Sequence, residues 1–151
     1  MTDPTITAPD LTTRPPRSPR SRLGGYALVP RMLDKGRAEI AGKSGEYHYN
    51  CPLDQRVLEF LGIDAEPLKA ELAKGQGDGE ILAWIIENRR NKHTAAEIAA
   101  WSAAADVREP DADSREFFDK YLSEYGPQRS DIKTWPELLD LDDYVTFGGK
   151  A

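Results

Sequence analysis

Three times between residues 94 and 137 a side chain suited to capping a helix stands three positions before a glutamate: Thr94 with Glu97, Asp113 with Glu116, and Thr134 with Glu137. In such a pair the cap side chain takes the backbone N–H of the third helical residue while the glutamate reaches back to the N–H of the cap, so each marks a helix start. Gly42, Gly62 and Gly126-Pro127 supply matching stops. Starts and stops this closely spaced dictate short helices of about three turns.

The intervening periodicity agrees. In "LGGYALVPRMLDKGRAEIAG", from Leu23, the residues Val29, Leu33 and Ile40 fall on one stripe, and Pro30 suits a first turn. "GEYHYN" alternates instead, with Tyr47 and Tyr49 on one side and Glu46, His48 and Asn50 on the other, the pattern of a short extended piece. A helix then opens at Pro52, with Val57, Leu58 and Leu61 as its stripe, and another at Asp64 with Leu68 and Leu72. Past the loop "GQGDG", Ile81, Leu82, Ile85 and Ile86 form a broad buried face. The capped segments carry Ile98 and Trp101, then Phe117, Phe118, Tyr121, Leu122 and Tyr125, and last Trp135, Leu138 and Leu139. Seven helical signals without paired strand signals predict an all-α or mainly α fold: a compact bundle of about seven short helices with one short extended segment near 45–50.

At 151 residues the chain is sized for one domain. Residues 1–22 hold five prolines and only Ile6 and Leu11 as large apolar side chains, so they are expected to be a flexible or draped N-terminal arm before a single helical domain at 23–151. The net charge of −6 is concentrated late: residues 106–151 carry twelve Asp or Glu against six Lys or Arg. That acidic section disfavours nucleic acid as a partner, and the four arginines of the arm could instead dock onto it. No apolar run approaches the roughly 20 residues of a membrane span, and the start lacks a secretory pattern. One cysteine allows no internal disulfide, so a reducing cytoplasm is the expected setting.

The chemically dense stretch is "GEYHYNCPLDQR", residues 45–56. Cys51 precedes Pro52 and so falls at a helix N-cap, where free N–H groups favour a thiolate; with His48 as base it is a candidate nucleophile or redox sensor. The competing reading is a buried structural cysteine. Arg31, Asp34 and Lys35 share a helix face at i, i+3 and i+4. If that face meets residues 45–56, then Arg31, Asp34, Lys35, His48 and Asn50 would form an anion site; otherwise Arg31 and Asp34 form a local ion pair. Cys51, His48 and His93 are too few and wrongly spaced for a zinc site, and His93 reads as the polar residue before the Thr94 cap, so no metal is expected. "KGQGDGE" lacks the spacing of a dinucleotide loop, and no cofactor is expected. Residues 78–105 have the outline of a helix-turn-helix, but the second helix offers mostly alanine to a groove.

The strings "SPRSRLGGYALVPRMLDKGRAEIAG", "GEYHYNCPLDQRVLEFLGID" and "DGEILAWI" closely resemble the bacterial family catalogued as domain of unknown function 5069, over about residues 10 to 125. The resemblance implies a small helical bacterial protein and carries over no catalytic residue. The expected function is a small-ligand (anion) binding or interaction module. The alternatives are a thiol-dependent enzyme or redox sensor using Cys51 with His48, and a helix-turn-helix DNA-binding protein; a protein partner or a homodimer stays open.

Overall fold

In the computed structural model, which describes residues 6–151, a two-stranded hairpin precedes seven helices. The elements are β1 (Arg22–Leu23), β2 (Tyr26–Ala27), α1 (Val29–Ile40), α2 (Pro52–Leu61), α3 (Ala65–Leu72), α4 (Asp78–Asn88), α5 (Ala95–Asp106), α6 (Arg115–Tyr125) and α7 (Trp135–Thr146). The mainly α architecture expected from the capping pattern is the one formed. Thr94 and Thr134 each accept the N–H of the glutamate three residues on, and Gly62 ends α2 in the left-handed region at φ 70°. Two local expectations differ. The N-cap of α6 is Ser114, whose N–H and hydroxyl both go to Asp111, so the Asp113 box is not made. Residues 45–50 are turns, and the antiparallel pairing lies at 22–27, where Gly24 and Gly25 at φ 59° and 85° supply the two positive-φ positions of a tight hairpin.

Ten of the twelve residues of α1 are buried, because α2, α3, β1 and the N-terminal segment all pack around it. The main core joins Met32 and Leu33 of α1 to Val57 and Leu61 of α2, Leu68 and Leu72 of α3, and Ile81 and Ile85 of α4. A smaller second core, Phe118, Ile132, Leu138 and Leu141, sits between α6 and α7. A helix enclosed in this way cannot leave its charges in water, so each must find a counterion inside the protein.

The N-terminal arm lies along the body over residues 6–22, while residues 1–5 fall outside the described residues. Ile6, Leu11, Pro16 and Pro19 are buried, and the Leu11 N–H donates to the Lys43 carbonyl at 2.9 Å. Two apolar side chains and two prolines suffice for this because the chain also supplies a clasp. Arg17 donates through its backbone N–H and Nε to Asp34 Oδ2 at 2.9 and 3.1 Å, and through Nη1 to Asp78 at 2.7 Å. Arg37 Nη1 donates to the other Asp78 oxygen at 2.8 Å, so the clasp ties arm, α1 and α4 together. Ser18 and Arg20 both reach Asp140 of α7, at 2.9 and 3.6 Å, which is a docking of the arm onto the acidic C-terminal section.

The clasp has a pH consequence. Hydrogen bonds from Arg17 above all, with those from Arg37, hold the Asp78 carboxyl below its ordinary value of 3.8. A carboxylate held low contributes stability that is complete above the ordinary value and fades as pH falls through its folded value. The melting temperature is therefore expected to stay level from pH 7 to about 5 and to drop below it. Asp78→Asn should start lower at pH 7 and fall less steeply; a melting profile parallel to that of the parent chain would remove Asp78 as a contributor.

Candidate functional site

The three charged residues of α1 separate on folding, each to its own partner. Arg31 Nη1 and Nη2 grip the two oxygens of Asp143 on α7, at 2.8 and 3.2 Å, with both side chains under a tenth exposed. The expected local pair of Arg31 with Asp34 is not formed, since Arg17 occupies Asp34. Burial opposes the Arg31 charge, but the hydrogen bonds and field of Asp143 outweigh it and hold the guanidinium above its ordinary value. The Tyr47 hydroxyl also donates to Asp143, at 2.8 Å, and its ring lies under the Arg31 guanidinium. Burial first, then Asp143, pushes the Tyr47 hydroxyl up, so it stays a donor.

Lys35 Nζ lies 3.0 Å from Asp54 Oδ2 and 3.2 Å from Cys51 Sγ. Asp54 Oδ2 also accepts the Asn50 N–H at 2.9 Å, which closes the turn ahead of α2 while Asn50 itself takes φ 63°. Cys51 is the N-cap of α2, with Pro52 in the first turn, as its position in the sequence implies. The basic group that reaches its sulfur is Lys35, not His48. His48 and Asn50 are exposed, whereas Tyr49 between them is buried and donates to the Ala65 carbonyl at 2.6 Å. The alternation read from "GEYHYN" is thus an alternation of exposure along a pair of turns. The five residues Arg31, Asp34, Lys35, His48 and Asn50 do not line one pocket: Asp34 borders a cleft beneath the arm, and Asn50 borders a separate shallow one beside Gly62 and Arg90.

Cys51 opens on a third cleft, of about 370 Å³, between the start of α2, the α5–α6 connection and the start of α7. Its apolar wall is Pro52, Leu53, Leu139 and the indole of Trp135; its polar rim is Arg56, Arg108, Glu109, Asp111 and Ser114. Burial pushes the Arg108 guanidinium down, the nearby Arg56 charge pushes it further, and Asp111 only partly offsets them. Arg56 is the last residue of the dense stretch and could have been singled out there, but Arg108 and Trp135 reach the cleft only through tertiary packing. The Trp135 backbone N–H donates to the Arg108 carbonyl at 2.9 Å, which joins the start of α7 to the α5–α6 connection at the cleft.

Among the described residues no group of three or more His, Cys, Asp or Glu is placed to hold a metal ion. His93 instead stacks on Phe60, at 4.0 Å between ring centroids, just before the Thr94 cap. Among the same residues no helix is long and apolar enough to cross a membrane.

Comparison with curated proteins finds no match. The family described as a domain of unknown function (DUF5069) matches residues 13–145, from within the N-terminal segment to the last turn of α7. That match spans the hairpin, all of α1 to α6 and the three groups of residues that build the cleft, and the chain belongs to the DUF5069 family.

Proposed function

We propose that the protein is a small-ligand binding module whose site is the cleft beside Cys51, with Arg56 and Arg108 receiving an acidic group. One observation carries this reading. Eight of the twelve arginines hold a carboxylate; among the described residues Arg14, Arg56, Arg89 and Arg108 form no ion pair, and of these Arg56 and Arg108 share one cleft. Two guanidinium groups left without a partner beside an apolar wall favour an oxyanion, which both can bind with directed N–H donors. The anion site therefore moves from Arg31 and Lys35, whose charges are used internally, to the far side of Cys51.

The test is titration calorimetry with a panel of small organic acids. At least one acid should bind the parent chain, and Arg108→Ala should weaken it by about tenfold or more, the loss of one charge-assisted contact. Its unfolding free energy should change by no more than about 0.5 kcal/mol, because the side chain makes no internal pair. Binding that survives in both Arg108→Ala and Arg56→Ala would overturn the reading. A thiol-dependent activity has a narrower support, the Lys35 ammonium beside Cys51 Sγ at the same cleft. Cys51→Ser separates the two, since the binding module keeps its affinity and a thiol-dependent activity is lost.

A further inference from the structure

Resting on that reading of the cleft, we infer that its ligand is an amphipathic acid: an apolar, preferably aromatic body bearing a single carboxylate or phosphomonoester. The size of the cleft, about 370 Å³, lies toward the lower end of the roughly 300–1,000 Å³ typical of small-molecule sites. One ring with a short acidic arm suits it better than a nucleotide.

Wall and rim divide the work. Pro52, Leu53, Leu139 and Trp135 offer carbon and an indole, against which an apolar group loses water. The Trp135 main chain is held by its backbone N–H to the Arg108 carbonyl, and its indole packs edge-to-face with Phe118, at 5.2 Å between ring centroids. Trp135 and Arg108 line the same cleft, so an apolar body on the indole can place an acidic end within reach of the guanidinium.

The rim limits the charge of the ligand. Arg56 and Arg108 are accompanied by Glu109 and Asp111, so the four formal charges cancel. Asp111 is already committed to Ser114, whose side-chain and backbone donors hold it below the ordinary carboxylate range. One acidic group can be shared by the two guanidiniums, whereas a second adds negative charge to a rim that already holds two carboxylates. A polyphosphate or a citrate-like polyacid is disfavoured by repulsion, which for charges this close is not screened away by salt.

The experiment uses the full chain and five probes: inorganic phosphate, phenyl phosphate, 3-phenylpropionate, citrate and benzyl alcohol, followed by calorimetry and tryptophan fluorescence. Phenyl phosphate should bind about tenfold or more tighter than phosphate, the gain expected for burying one ring. Phenylpropionate should bind and citrate should not. Both aromatic acids should weaken about tenfold in Arg108→Ala. Trp135→Ala should erase the advantage of phenyl phosphate over phosphate; if that variant does not fold, Leu139→Gln tests the same wall. Equal binding of phosphate and phenyl phosphate, both lost in Arg108→Ala, would overturn the amphipathic class and keep the acid-accepting cleft. Benzyl alcohol binding as tightly as the acids would overturn the acidic requirement, and binding of no probe would overturn both readings.

Discussion

Asp143→Ala is expected to cost ~3–5 kcal/mol of unfolding free energy, because it leaves the Arg31 guanidinium buried without its counterion. For a chain of this length that loss corresponds to a fall of about 10 °C in melting temperature. The remaining partners of Arg31 are the Arg17 carbonyl at 3.2 Å and the face of Tyr47, neither of which carries a negative charge. The Tyr47 hydroxyl loses its acceptor in the same step. Asp140→Ala, one turn earlier on α7, is the contrast: its pair with Arg20 is 3.6 Å long and more than a third exposed on both sides, and with the Ser18 hydrogen bond at 2.9 Å also lost about 1–2 kcal/mol is expected. Arg31→Met with Asp143→Leu should recover much of the deficit, since an apolar pair avoids desolvating two charges. Recovery stops short because the Tyr47 hydroxyl and the Arg17 carbonyl stay unpaired, each at about 1–3 kcal/mol. Urea denaturation of the four chains decides the matter. An Asp143→Ala cost below about 1 kcal/mol would mean that the pair does not secure α7 to α1.

The same pair shows where sequence reasoning stops. Spacing at i and i+3 made Asp34 the natural partner of Arg31, and local spacing has no means of seeing a carboxylate 112 positions away. A buried, two-point contact outweighs a local one, while Asp34 serves the arm through Arg17. Helix starts and stops were legible because their determinants are local: the Thr94 and Thr134 boxes, Pro52 and the terminating Gly62 each act within four residues of themselves. The hairpin was also written locally, in the Gly24-Gly25 pair, but the apolar periodicity downstream of it drew the segment into a helical reading. The site was half legible. "GEYHYNCPLDQR" does border the cleft, through Cys51, Pro52, Leu53 and Arg56, whereas Arg108, Ser114 and Trp135 come from two other parts of the chain. His48 stood out by residue type, yet exposure leaves it facing solvent.

Leu72→Ala is expected to cost ~2–5 kcal/mol, and its larger interest is what it does to Gly36. Gly36 sits within α1, where replacing glycine by alanine ordinarily stabilises a helix by about 0.5–1 kcal/mol. Here a Cβ at Gly36 would stand 2.6 Å from Leu72 Cδ1 and 3.2 Å from Tyr49 Cδ1. Leu72 is fully buried on α3, and Tyr49 is anchored through its hydroxyl to the Ala65 carbonyl, so neither yields easily. Moving α1 away instead would stretch Lys35, the preceding residue, from Asp54, a buried pair at 3.0 Å. Overpacking therefore wins over helix propensity, and Gly36→Ala alone should destabilise by about 1–3 kcal/mol. In the Leu72→Ala background the methyl enters vacated space, the propensity gain is released, and the sign of Gly36→Ala reverses. A double-mutant cycle in urea should show a favourable coupling of about 1.5–4 kcal/mol. Strict additivity would mean that the α1–α3 approach is loose enough to absorb a methyl group, and that glycine at position 36 is not what sets it.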